Sequence, residues 1–260
     1  ETVTAPVTLP TIPSSRLDGR RALVTGASRG LGLAMATALA EAGAHVTLAA
    51  RGGDEVEAVA EAIRQRGDDA EALMLDVTDT ARVTEELAAR KPFQILVNSA
   101  GTNRPAELLE ITEEDYDAVT DLNVRAAVFV TKAVAKGMID AELPGSIINV
   151  SSQMGHVGGP KRTVYCATKF AIEGATKALA WELGPQGIRV NTICPTFIET
   201  PMTAGMLEED GFLDFVTSKI ALGRVGRVED VMGAVVYLAS DASGLVTGSA
   251  LMIDGGWTAA

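Results

Sequence analysis

At 260 residues the chain suits one large α/β domain with enough interior for a sizeable core. Its net charge of −12 argues against nucleic acid and anionic membrane as partners, and no segment runs to 18 uninterrupted apolar residues, so no membrane span is expected. The two cysteines, Cys166 and Cys194, sit in no metal-ligand spacing and make no disulfide framework, so no metal site is expected and a reducing, cytoplasmic setting is.

Glu1 to Ser15, with Pro6, Pro10 and Pro13, has no basic stretch followed by an apolar run and reads as a flexible tail rather than a secretory signal. From residue 16 onward, β-branched or leucine-rich runs alternate with alanine-rich helical stretches. The predicted strands are Ala22–Thr25, His45–Ala50, Ala70–Leu75, Gln94–Asn98, Ser146–Val150, Arg189–Cys194 and Ala250–Ile253. Helices are predicted to begin near Gly30, Asp54, Asp79, Glu113, Thr163 and Val228. Several strands are apolar at consecutive positions, as strands covered on both faces are. Short strand-to-helix links imply right-handed crossovers. The expected architecture is a Rossmann-type, doubly wound parallel sheet of seven strands, three layers in a single domain over residues 16–260. Residues 196–220 break the rhythm and read as a lid over a site.

Gly26, Gly30 and Gly32 follow the first strand directly, with Ser28, Arg29 and Leu31 between them. Glycines there let the backbone turn tightly and approach a pyrophosphate, while the next helix aims its N–H groups at the charge. Three glycines so close weaken a fold unless something needs the space, which favours a ligand over a plain turn. An NAD site needs a carboxylate at the end of the second strand for the ribose hydroxyls. Ala50 stands there instead, and Arg51 follows. With Arg29 inside the turn, two guanidinium groups can converge on a 2′-phosphate, so NADP(H) is expected over NAD(H).

Tyr165 and Lys169 lie four residues apart, on one face of a helix. A free phenol titrates near ~10, too high for an efficient base at neutral pH, and a neighbouring cation favours its ionised form. Ser152 follows the fifth strand at its carboxyl end, where open α/β sheets bind ligands, and its hydroxyl can hold a substrate oxygen. Asn123 lies in an apolar helix, where an unpaired amide is costly to bury.

Taken in order, Thr25 to Gly32, Asp76, Asn98-Ser99-Ala100-Gly101, Asn123, Ser152, Tyr165 and Lys169 give the chain its likeness to a known family. From Leu17 to Trp257 it resembles the classical short-chain dehydrogenases/reductases. Ser99 replaces the family's usual second Asn, and Thr196 replaces the Gly after Pro195. The resemblance implies that Asp76 and Val77 meet the adenine end of the cofactor. It places Asn98, Ala100 and Gly101 along the cofactor, and Pro195, Phe197 and Thr200 beside the nicotinamide. It also implies that Lys169 grips the nicotinamide ribose and that Asn123 anchors a water relaying protons to Lys169.

The implied reaction is hydride transfer between NADPH and a ketone or aldehyde, or the reverse with an alcohol. Candidate substrate-pocket residues are Gln153, His156, Arg162, Met202 and Met206, with Met154, Lys161 and Phe197 nearby; His45 reads as structural. A small ketone, sugar, polyol or hydroxy acid is the expected substrate. The main alternative is a 3-oxoacyl-carrier-protein reductase, to which much of the chain is similar. Those enzymes dock an acidic carrier through basic residues, yet residues 140–144 and 184–186 carry no Lys or Arg. A non-catalytic NADP(H)-binding sensor or scaffold is the alternative of another class, and the intact tyrosine, lysine and glycines speak against it. The family commonly forms tetramers, pairing the fourth and fifth helices and the last helix and strand with their symmetry mates. A homotetramer covering Met232, Val236 and Met252 is therefore expected. Trp257, near the chain end, is expected either at such a contact or over its own subunit's pocket.

Overall fold

The computed structural model describes residues 7–259; residues 1–6 of the expected tail lie outside them. Residues 7–16 are exposed and without regular structure. The elements then run β1 (Arg21–Thr25), α1 (Gly30–Glu41), β2 (His45–Ala50), α2 (Gly53–Gln65), β3 (Ala70–Met74), α3 (Thr80–Ala88) and β4 (Ile95–Asn98). There follow α4 (Glu113–Thr120), α5 (Ala127–Asp140), β5 (Gly145–Val150), α6 (Thr163–Leu183) and β6 (Ile188–Pro195). The chain closes with α7 (Ala204–Leu207), α8 (Phe212–Lys219), α9 (Glu229–Ala239) and β7 (Ala250–Ile253). All seven predicted strands are present, with ends moved by a residue or so. The lid region carries the two short helices α7 and α8.

The seven strands form one sheet in the order β3-β2-β1-β4-β5-β6-β7, parallel throughout. This is the Rossmann-type arrangement, and the strand order reverses between β1 and β4. Successive side chains of a strand point to opposite faces, which explains the consecutive apolar residues. Val24, Leu48, Val97, Ile148 and Ile193 face a layer containing Met35, Leu39, Val56, Val231 and Val235 from α1, α2 and α9. Their neighbours Leu23, Leu96, Ile147 and Val190 face Val83, Leu87, Val130, Val134 and Met138 from α3 and α5. Each such side chain, fully buried, contributes about 1.5–3 kcal/mol.

The single helix predicted from Glu113 is interrupted. Thr112 caps α4 by accepting from the Asp115 amide at 3.1 Å. A π-helical turn over Asp121–Ala126 then joins α4 to α5. Such turns widen the backbone, and they concentrate at functional sites. Asn123 lies within it and is buried.

Trp257 is partly buried against its own chain. Its ring packs 5.8 Å from Phe197 and 6.5 Å from Phe215, both of its own lid. Val231 and Val235 of α9 are likewise spent on the chain's own core, and Met232 and Val236 pack against its margin.

Candidate active site

The glycine turn sits at the carboxyl end of β1, beside the point where the strand order reverses. Gly26 has φ +66°, and a Cβ there would lie 2.8 Å from the Ala100 Cα. A Cβ on Gly32 would collide with the Gly26 carbonyl. Gly26 is therefore glycine because the β1–α1 turn meets the loop after β4, and Gly32 because the turn closes on its own backbone. Thr25 fastens the same junction, its hydroxyl accepting from the amides of Ser99 and Ala100 at 3.1 and 3.2 Å. Those amides hold regardless of the Ser99 side chain, so the missing Asn leaves the loop intact. Thr200 at the start of the lid would touch a Cβ on Gly30 at 3.6 Å, so lid and glycine turn are in contact.

No side chain caps the N-terminus of α1, where Arg29 holds the cap position in extended backbone. Arg29 and Arg51 are exposed, and among the described residues neither makes an ion pair. Asp76 accepts from the Thr78 amide at 2.9 Å and the Thr78 hydroxyl at 2.7 Å. Partial burial pushes its carboxyl up, but the Thr78 bonds and the Arg51 charge outweigh this and hold it below the usual range. Val77 beside it is buried. Asn98 serves the scaffold: its Nδ2 donates to Thr131 Oγ1 and Asn149 Oδ1, both at 2.9 Å, tying β4 to β5 and α5.

Ser152 follows β5, and its Oγ accepts from the Met154 amide at 3.1 Å. Tyr165 and Lys169 stand one turn apart on α6, as the spacing requires. Burial raises the phenol above its ordinary value, while the Ser152 hydroxyl and the Arg162 charge pull it back. Lys169 is buried, and its Nζ donates to the Val150 carbonyl at 2.8 Å. Burial pushes the ammonium down to about 8, against the opposing pull of Cys194 and Glu173. Asn123 is pinned rather than solvated. Its Nδ2 donates to the Thr102 carbonyl at 2.9 Å and the Thr168 hydroxyl at 3.1 Å, and its Oδ1 accepts from the Thr102 amide at 2.8 Å. A Cβ on Gly101 would reach both Asn123 Oδ1 and Lys169 Nζ, at 3.3 and 3.9 Å. Asn123 and Lys169 thus flank a common space at Gly101.

A cavity of about 210 Å³ opens over Ser152 and Tyr165. Gln153, Arg162, Met202 and Met206 line it, as do Phe197 and Met154. His156 does not. Its Nε2 lies 3.5 Å from Cys194 Sγ and 3.4 Å from Glu173 Oε1, behind α6 and against β6. Its place just past Ser152, in the loop after β5, suits a pocket wall, but a turn at 153–155 carries His156 away from the cavity. Cys194 also bonds Glu173 at 3.2 Å and Thr192 at 3.3 Å, and burial pushes its thiol up to about 12. The thiol is accordingly a buried hydrogen-bonding group and not a nucleophile. Lys161 is also absent from the lining; it is exposed, with Nζ 3.8 Å from Glu107. Asn103, Pro105, Thr196 and Thr203 line the cavity without having been singled out as substrate contacts. The position of Asn103, two residues past Gly101, was the available signal. Thr203 comes into place through the lid's own folding and left none.

Fold and site together are those of a nicotinamide-dependent oxidoreductase: the cleft at the strand-order reversal has a cradle with no room for side chains, and cations at its rim with no carboxylate partner. The sequence matches, over residues 26–258, the family described as enoyl-(acyl carrier protein) reductase. It is 39% identical to a gluconate 5-dehydrogenase of Gluconobacter oxydans, over 93% of this chain and 96% of that one. It is 38% identical to an L-xylulose reductase of Bos taurus, over 94% of this chain and 98% of that one. Among solved structures, a gluconate 5-dehydrogenase of Burkholderia cenocepacia, in complex with NADP and tartrate, superposes with a TM-score of 0.91 at 36% identity, covering 95% of this chain and 98% of that one. The chain belongs to the classical short-chain dehydrogenase/reductase family, and it is an oxidoreductase of alcohols and carbonyls using a nicotinamide dinucleotide.

Proposed function

We propose that the protein is an NADP(H)-dependent oxidoreductase that interconverts a small polyhydroxylated ketone and its alcohol. One observation carries this reading: the Ser152 hydroxyl and the Tyr165 phenol both face a single cavity of about 210 Å³. That volume falls below the ~300–1,000 Å³ of sites for drug-sized ligands, which favours a sugar-sized substrate over a long acyl chain. The relatives named above act on gluconate and on xylulose, which fit this class.

The cofactor, when bound, supplies or accepts the hydride. Tyr165 donates its phenolic proton to the oxygen of the reduced carbon, or removes it in the oxidative direction. Ser152 holds that oxygen in place. Lys169 sits over the phenol ring, where a positive charge stabilises phenolate as it forms. Asn123, locked to Thr102, holds the Gly101 loop and with it the space beside Lys169 through which protons are replaced. Arg29 and Arg51, without ion-pair partners and with Ala50 rather than a carboxylate at the end of β2, favour the extra phosphate of NADP(H) over NAD(H).

The carrier-protein reading has less support. Asp140 at the end of α5 and Glu142 on the loop before β5 are exposed, where a basic docking surface would be needed. A sensor or scaffold without turnover would have no need of the Ser152, Tyr165 and Lys169 set. Among the described residues no helix is long and apolar enough to cross a membrane. Both cysteines are free, in keeping with a reducing, cytoplasmic setting. The deciding experiment is NADPH oxidation with a panel of ketoses, ketoaldonates and 3-oxoacyl thioesters. Turnover of the hydroxylated substrates above the thioesters is expected, and the opposite order would overturn the reading.

A further inference from the structure

The cavity holds polar groups that the chain itself does not satisfy. Gln153 is 1% exposed, yet neither its Nε2 nor its Oε1 has a hydrogen-bond partner. Thr196 Oγ1 and Asn103 Oδ1 are buried and unpartnered on the same lining. Leaving such groups unpaired costs free energy, so these three, set among the apolar Met154, Met202, Met206 and Phe197, are the points of the wall at which a ligand's hydroxyls can be paired.

Arg162 adds a charge to this set. It stands at the N-cap of α6, half-buried in the cavity wall. Its Nη2 lies 3.1 Å from the Met206 thioether sulfur, a weak acceptor, and among the described residues it forms no ion pair. Glu209 is near enough for its charge to be felt but does not bond it. Arg64, Arg82, Arg104 and Arg224, by contrast, each meet a carboxylate, and Arg29 and Arg51, which do not, are exposed to solvent where Arg162 is half-buried. A half-desolvated guanidinium without an anion is unfavourable, and its planar fork matches a carboxylate. The net charge of −12 repels anions in general, which makes this local exception more telling.

We propose that Arg162 is the anchor for a substrate carboxylate, and that the protein's substrate is a sugar acid, an aldonate and its keto form, whose hydroxyls meet Gln153, Asn103 and Thr196. This deepens the reading of the cavity as a carbonyl–alcohol site and rests on it. In that arrangement Arg162 fixes one end of the chain and Ser152 with Tyr165 fix the reacting oxygen, so the distance between them selects which carbon reacts.

The test compares matched pairs that differ only in the acidic end. Full-length enzyme with saturating NADP⁺ is assayed with D-gluconate and with sorbitol, and enzyme with NADPH is assayed with 5-keto-D-gluconate and with L-sorbose, the neutral ketose that has CH2OH in place of its carboxylate. The wild type is expected to favour the acid of each pair by at least ~10-fold in kcat/KM, the scale of a charge-assisted bidentate contact. In Arg162→Met that preference should shrink to within ~3-fold, and Arg162→Lys should restore part of it. The wild-type comparison stands alone should the Met variant fold poorly. Neutral substrates turned over as well as acids, or an equal loss on both in Arg162→Met, would overturn the anchor while leaving the oxidoreductase reading intact. Failure of every member of the panel, acid and neutral, would overturn both.

Discussion

Lys169 donates to the Val150 carbonyl at 2.8 Å, and its Nζ lies 5.4 Å from the centre of the Tyr165 ring. The ammonium is tied to the end of β5 and set against the phenol's aromatic face. This geometry keeps it buried, and burial lowers it from about 10.5 to about 8. The stability consequence has a definite sign. Below pH ~8 the folded lysine is charged and the full cost of burying it is present; above ~10.5 both states are neutral and the cost is gone. Between those values the unfolded chain holds more protons, so stability from this residue rises with pH. Urea unfolding of the wild type and of Lys169→Met should show a stability difference that moves by roughly 3 kcal/mol in favour of the wild type from pH 7.5 to 10.5. A difference independent of pH would show that Lys169 is not desolvated.

Tyr165→Phe removes the phenolic oxygen and keeps the ring that packs beside Lys169. We expect kcat to fall by at least ~10²-fold while NADPH affinity, measured by fluorescence titration, changes little. Normal turnover by the Phe variant would exclude Tyr165 as the proton donor.

Arg51 stands past the end of β2, close enough to Asp76 for its charge to lower that carboxyl. Arg51→Ala should weaken NADPH by ~10-fold or more and leave NADH within a few-fold, because the 2′-phosphate is the only group the two cofactors do not share. Arg29→Ala should act in the same direction. Equal kcat/KM with both cofactors in the unmodified protein would rule out the phosphate site.

Assembly follows from the outer faces of α5 and α6. Phe170 is 50% exposed and Trp181 is 87% exposed, and their spacing along α6 places them on one stripe. Phe129 of α5 and the half-buried Met232, Val236 and Met252 extend the apolar surface to two regions of the molecule. We expect a homotetramer by light scattering at micromolar concentration, and a smaller species for Phe170→Glu with unchanged circular dichroism. A monomeric wild type would refute this.

Much of the protein is legible in its sequence, and for local reasons. The glycines at 26, 30 and 32 announce a tight turn, because backbone atoms close on positions 26 and 32 and position 30 has a positive φ. Apolar pairs such as Leu23-Val24 and Ile147-Ile148 announce a sheet covered on both faces because neighbouring side chains point opposite ways. The four-residue step from Tyr165 to Lys169 sets both on one helical face because a helix turns every 3.6 residues. What tertiary structure decided is which side chains share a space. His156, four residues from Ser152, turns away to Cys194, while Asn103 and Thr203, far apart in the chain, meet in the cavity. The π-turn that buries Asn123 depends on hydrogen bonds to Thr102 and Thr168 from other segments. Trp257 settles on Phe197 and Phe215 because the lid folds back over the end of the sheet, a contact between segments about 40 to 60 residues apart that no local pattern encodes.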